Sequence, residues 1–343
     1  MTDIVAHLRT IGTAGEAVLM RDIKPLSGLT RDDAELLRVP LRALPAARRL
    51  ALATAMRDLH EDNVDLDFVQ LLLVLLEDAD ARVRLVTVGA LWEDTTARVM
   101  RGLIERLAQD EDALVRAEAA LSLGRFAYMA TLDEIDEHQG DLVRAALLGQ
   151  LASEQDVDVR RRLVESCGYY GEAAPVQAAI AAAAVASDQL QRESALAAMG
   201  HSMDPRWLPQ IAAALNERSP ALRYEAARAA GEFADLAADQ VARLAQLTQE
   251  EDTEVATTAI WALGQIGGAQ AQRVLQSLTR STDDARKQAA LEAIDELLPG
   301  SNLFAGAVTR RVRGEGEDDD DDGFDEPDDS DDDGFGDDEM ERP

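Results

Sequence analysis

The chain has 343 residues, of which 46% are hydrophobic and 4% aromatic, with one cysteine and a formal net charge of −32. So acidic a chain is a poor nonspecific binder of nucleic acid or of anionic membranes, and its low aromatic content suits close-packed helices better than a β-sandwich. A single thiol, Cys167, excludes an intrachain disulfide, so a cytoplasmic setting is expected, with no nucleic acid and no membrane among the partners.

The opening stretch MTDIVAHLRTIG has no basic segment followed by an apolar one, so no signal peptide is expected. Ile4, Val5, Leu8 and Ile11 keep helical spacing behind Thr2 or Asp3. Thr30 with Asp33 predicts a capping box opening a second helix, which Pro40 bends or ends. Pro45 suits the first turn of a helix through Leu59, which carries Arg48 and Arg49 and reads as a degenerate repeat unit. Residues 1–59 thus form a helical cap. The most apolar run, Phe68 to Leu76, is far short of the roughly 20 residues that span a bilayer and predicts a buried helix.

From Asp80 onward one pattern recurs. A small polar residue is followed four positions on by arginine and then by an Ala-rich apolar stripe: Asp80/Arg84, Asp112/Arg116, Asp156/Arg160, Asp188/Arg192, Ser219/Arg223, Asp252/Ala256 and Thr282/Arg286. The steps between anchors are 32, 44, 32, 31, 33 and 30 residues, the spacing of stacked helical hairpins. The aspartates stand where N-caps belong, and positions −1, +3 and +7 from each arginine form a core stripe, as in Val115, Ala119 and Leu123. Position +8 is Gly124, Gly168, Gly200, Gly231 and Gly264, a column that predicts close helix approach or helix ends.

Each first helix is followed by a second one, with starts marked by Pro175, Asp204–Pro205 and Asp239. Their polar positions hold Arg98, Arg101, Arg144, Arg206, Arg243 and Arg273, either a cationic line for a partner or surface arginines paired with acids. The 44-residue step places about twelve extra residues near Tyr128 to Gly140, where Thr131 with Glu134 predicts an added capped turn on one rim. The array spans 60–299 and ends at Pro299–Gly300.

A linker, 300–313, leads to a tail, 314–343, with 18 acids and one arginine. Such a segment cannot bury enough apolar surface to fold and is expected to be disordered. Asp320-Asp321-Asp322-Gly323-Phe324 recurs as Asp331-Asp332-Asp333-Gly334-Phe335. The two phenylalanines read as anchors that would dock after the charges steer a basic partner; the other reading is a solubilising tail.

These units resemble HEAT repeats, and in particular the short HEAT-like repeat of phycobilisome lyases. DEDALVRAEAALSLGRF and EDTEVATTAIWALGQIG are similar to that family's D-x-x-V-R-x-x-A-x-x-A-L-G pattern. The resemblance covers roughly Asp78 to Leu298. It implies an all-α, right-handed solenoid of about seven hairpins, with first helices convex and second helices concave. It also implies that the Asp–Arg pairs form a ladder within and between units, one that weakens at Ser219, Ala256 and Thr282.

No G-x-S-x-G, P-loop or H-E-x-x-H is present. Cys167 lies in the core stripe, and His60–Glu61 is the one His–Glu dyad, where the related deoxyhypusine hydroxylases carry several. No catalytic residue, metal or cofactor is expected. The expectation is a non-catalytic scaffold or adaptor that binds a protein or peptide through the concave face, with the acidic tail recruiting a basic partner or competing for the groove. The alternative is an accessory or chaperone-like subunit of the bilin-lyase type handling a chromophore.

Overall fold

The structure, a computed structural model, describes residues 2–13, 20–63 and 65–296. The linker and acidic tail, with Phe324 and Phe335, lie outside the described residues. Within them every regular element is helical.

The chain begins with α1 (Thr2–Thr13), α2 (Met20–Ile23), α3 (Arg31–Arg42), α4 (Ala46–Asp62) and α5 (Val69–Leu75). Six hairpins come next: α6 (Ala81–Ala90) with α7 (Ala97–Gln109), α8 (Ala113–Thr131) with α9 (Glu137–Ser153), α10 (Val157–Cys167) with α11 (Ala174–Ala184), α12 (Gln189–Ser202) with α13 (Leu208–Ala214), α14 (Pro220–Glu232) with α15 (Val241–Leu247), and α16 (Thr253–Ile266) with α17 (Gly268–Leu278). The array closes with α18 (Asp284–Glu296). Each first helix packs on the next, from α4 through α18, and the second helices flank that layer. The molecule is an α-solenoid. Its first-helix layer starts at α4, so the helix expected to be a degenerate repeat unit is a full member of the stack.

Local signals account for most helix starts. Thr30 accepts from the Asp33 N–H at 3.2 Å while its own N–H donates to Asp33, the expected capping box. Asp80, Asp112, Asp156, Asp188 and Asp252 each accept backbone N–H groups in the first turn. Two anchors behave differently. Ser219 stands at the cap of α14 without a side-chain bond, and Asp283 replaces Thr282 as the residue capping α18. The second helices are less regular: Asp239 falls inside a 3-10 segment, Ala234–Gln240, and does not cap α15.

The core stripe closes as the spacing predicts. Val83, Ala119, Leu123, Val159, Leu163, Ala226 and Leu263 are fully buried, and so is Cys167, whose thiol burial pushes up to about 12. The extra residues of the 44-residue step do not make a separate capped turn. They lengthen α8 and α9, whose cap is Asp136 and not Thr131; Thr131 ends α8 and donates to the Tyr128 carbonyl.

The glycine column sets how closely successive first helices approach. A Cβ on Gly168 would lie 2.8 Å from the Ala198 Cα, and one on Gly264 would lie 2.9 Å from the Ala293 Cβ, so successive first helices touch through backbone and methyl groups. Such contacts bring axes toward the short end of the 8–10 Å range. Second helices meet far less than first helices do: α7 touches α9 and α15 touches α17, but α9, α11, α13 and α15 scarcely meet one another. Of two coupled layers, the one with the shorter repeat lies inside the bend. The first helices therefore line the concave side and the second helices the convex side, the reverse of the expectation.

Candidate partner-binding surface

The anchor arginines do not pair with the anchor aspartates four residues before them. Those carboxylates are occupied as caps, which leaves each arginine to reach across to the next unit. Arg84 forks onto Asp110 at 2.7 and 2.6 Å and also donates to the Asp78 carbonyl at 2.7 Å. Arg116 holds Glu154 at 3.0 Å and the Asp110 carbonyl at 3.0 Å. Arg192 meets Glu217 at 3.6 Å, and Arg223 meets Glu250. Arg49 does the same with Asp78 at 2.6 Å, confirming α4 as a unit. In these pairs the accepting acid is two residues before the next anchor, and at Asp78, Asp110 and Glu154 its oxygen also takes that anchor's N–H, as from Asp80 to Asp78 at 2.8 Å.

Burial pushes the Glu154 carboxyl up, but bonds from Arg116, the Asp156 N–H and Gln150 outweigh it and hold the group at about 2. Asp110 is lowered in the same way: burial opposes, while Arg84 and the Asp112 N–H prevail. Two rungs depart from the rule. Ala186 stands where an acid belongs, so Arg160 donates to the Leu151 carbonyl at 2.9 Å instead. Ala256 lacks the guanidinium altogether. Arg286 of α18 reaches back to the carbonyls of Thr248, at 2.9 Å, and Glu250, the loop that an arginine at 256 would hold.

The second-helix arginines lie on the convex layer. Arg98 bonds Gln70 at 2.7 Å, Arg206 bonds Gln177 at 2.9 Å, and Arg243 bonds the Leu215 carbonyl at 2.9 Å, each tying its helix to the preceding unit. Arg144 pairs with Glu172 at 2.7 Å and stands 5.3 Å over the Tyr170 ring. Arg101 and Arg273 are exposed. The structure does not gather these six into one cationic line, because four of them are spent on cross-ties.

A different row, which the sequence reading did not single out, lies along the concave first-helix face. Tyr128, Tyr169 and His201 form a series with ring centroids 5.6 and 4.3 Å apart, the second pair stacked at 9°. Glu165 continues it, bonded by Arg162 at 3.0 Å, and its carbonyl meets His201 Nδ1 at 3.0 Å. Arg228 then sits between Glu225 at 2.8 Å and Glu232 at 3.2 Å. Burial pushes Glu225 up, whereas Arg228 is raised because Glu232, Glu225 and Glu165 outweigh its own burial. Beyond it Tyr224, Trp261, Glu292 and Glu296 wall a groove of about 360 Å³. Most of the row falls at +1, +2, +5 or +9 from the anchor position, as Tyr224, Glu225, Glu165, Arg228, Tyr169, His201 and Glu232 do, and these offsets share one face between the core stripes; Tyr128 joins it at +12, from the lengthened α8.

Among the described residues no three His, Cys, Asp or Glu side chains converge as metal ligands would. His60 is held by the Leu66 carbonyl at 2.7 Å, and the side chains of Glu61 and Asp62 lie outside the described residues. No helix of the described residues is long and apolar enough to cross a membrane. Trp207 is buried, but Trp92 is 53% exposed and stacks with Arg125 at 5.5 Å, not in the core.

Residues 208–295 match the family described as HEAT repeats. No curated protein matches the chain. Among solved structures, importin beta is similar at 17% identity and a TM-score of 0.47, over 90% of this chain and 46% of that one. The CpcE–CpcF complex of phycocyanin lyase from Nostoc is similar at 18% identity and a TM-score of 0.45, over 67% of this chain and 94% of that one. Human deoxyhypusine hydroxylase is similar at 19% identity and a TM-score of 0.34, over 78% and 96%. The segment 208–295 is similar to HEAT repeats, and the pattern of caps, core stripe and cross-unit arginines that it shares runs back through the solenoid to α4.

Proposed function

We propose that the protein is a non-catalytic scaffold that binds a protein or peptide along the concave first-helix face. The observation that carries this reading is the row from Tyr128 to Trp261. Its half-buried rings and charged groups recur along successive first helices and are open on one side, which suits an extended chain laid across the repeats. Aromatic side chains supply contact area there, and Glu165, Glu225 and Glu232 supply acceptors for basic side chains. Residues 1–313 carry 48 acids against 33 bases, so a basic partner is steered to the body as well as to the tail. The tail's thirty residues extend to about 100 Å, enough to reach along the whole array and compete for the groove.

Selection of a displayed peptide library on the full chain tests this. Enriched peptides are expected to be rich in Lys and Arg. Trp261→Ala and Glu232→Gln are each expected to weaken them about tenfold, while Arg101→Ala and Arg273→Ala leave affinity unchanged. Deleting 314–343 should leave helicity and melting temperature in place and change the salt dependence of binding. Affinity that follows the convex arginines, or that ignores both Trp261 and Glu232, overturns the reading.

A further inference from the structure

The lengthened hairpin α8–α9 builds a cleft of its own. It lies between the end of α8, the loop 132–136, the first turns of α9 and the turn Gly168–Tyr170, with a volume of about 520 Å³. A Cβ on Gly140 would come 3.2 Å from the Ala130 Cβ, so the two helices close tightly beneath it. Its loop contains Asp133 at φ 57°, a left-handed conformation for a residue with a side chain. Five carboxylates line the cleft against one arginine, Arg144.

Their bonds sort them. Asp136 caps α9 by accepting the His138 N–H at 3.0 Å, and Glu172 is paired with Arg144. Glu137 and Asp141, both exposed and one helical turn apart, make no such commitments. Independently of this charge, Tyr170 forms part of the cleft wall, its side chain is 6% exposed, and its buried Oη makes no hydrogen bond. A buried hydroxyl without a partner costs stability, which a bound donor would recover. Burial also pushes that hydroxyl up, so it stays neutral. The half-charge at the start of α9 and Arg144 are outnumbered by the carboxylates, so the cleft favours a cation over an anion. Arg144, stacked 5.3 Å over Tyr170, shows that the ring accepts a guanidinium on its face.

We propose that this cleft is an arginine-recognition pocket: a guanidinium presented by a partner peptide pairs with Glu137 and Asp141 while Tyr170 Oη accepts one of its N–H groups. The guanidinium spreads five N–H donors over a plane and so suits two carboxylates and a hydroxyl together better than the compact three-donor ammonium. The pocket names the anchor of the partner and rests on the scaffold reading only in that respect.

The test uses full-length protein with 13C-labelled tyrosine rings, titrated with N-acetyl-arginine amide and with the uncharged, isosteric N-acetyl-citrulline amide. The arginine amide is expected to shift the Tyr169 and Tyr170 ring signals saturably, with a Kd of about 1 mM, and the citrulline amide is expected not to. Glu137→Gln with Asp141→Asn should weaken binding about tenfold with unchanged melting temperature, and Tyr170→Phe about threefold by the Tyr169 signal with a melting temperature no lower than the parent's. Absence of a saturable shift, equal binding of citrulline amide, or wild-type affinity in the Glu137→Gln/Asp141→Asn variant overturns the pocket. Peptide binding that persists under those results leaves the scaffold reading standing. A pocket that takes the amide in a protein that binds no peptide refutes the scaffold reading alone.

Discussion

At the scale of single residues, the anchor aspartate and the anchor arginine act in different bonds, and this division sets how the protein responds to acid. The aspartate caps its own helix, while the arginine locks its unit to the acid two places before the next anchor. Glu154 is the clearest such acceptor, held at about 2 against an ordinary 4.5. A carboxyl lowered in the folded state contributes fully above its unfolded value and loses that contribution as pH falls through its folded value. Stability measured by urea melts should therefore drop as pH falls from about 4.5 toward about 2, and Glu154→Gln should flatten that part of the curve while lowering stability at neutral pH. A slope unchanged by the substitution would show that other carboxyls set it.

At the scale of helices, the first-helix layer depends on residues without side chains. Gly168 faces the Cα and carbonyl of Ala198, at 2.8 Å each from a built Cβ, and backbone cannot turn aside as a side-chain tip can. Gly168→Ala should force α10 and α12 apart and cost about 1–3 kcal/mol. Gly149, on the exposed face of α9, meets nothing within 4 Å. Gly149→Ala should stabilise by about 0.5–1 kcal/mol through helix propensity alone. Thermal melts of the two variants moving in the same direction would contradict the close-approach account.

At the scale of the whole molecule, stability is a chain of interfaces between neighbours, so a gap in one unit can be filled from the next. The junction of α16 and α18 is such a case. Ala256 leaves the Glu250 carbonyl without its usual guanidinium, and Arg286 supplies one from the following helix. Arg286→Ala should destabilise by about 1–2 kcal/mol, because it strands the loop carbonyls. Ala256→Arg should be unfavourable beside Arg286, since two guanidinium groups would share one set of carbonyls, but should restore stability to the Arg286→Ala protein. A double-mutant cycle by chemical denaturation reads this as a coupling of about 1 kcal/mol or more between the sites. Additive effects would mean that the two positions do not share one role.

The sequence alone determined the architecture, since period, caps and core stripe are local properties: an N-cap needs only an oxygen beside free N–H groups, and a stripe needs only helical spacing. Even the ladder was legible, as acids at Asp78, Asp110, Glu154, Glu217 and Glu250 two places before five of the seven anchors, although spacing within one helix pointed to the wrong partner. Tertiary structure decided what depends on distance between units. It turned the first helices to the inside of the bend, because glycine and alanine contacts shorten that layer's repeat. It spent most of the second-helix arginines on cross-ties and brought Tyr128, Tyr169 and His201 together from three units. Those residues are 41 and 32 positions apart along the chain, and only stacking of the units makes them neighbours.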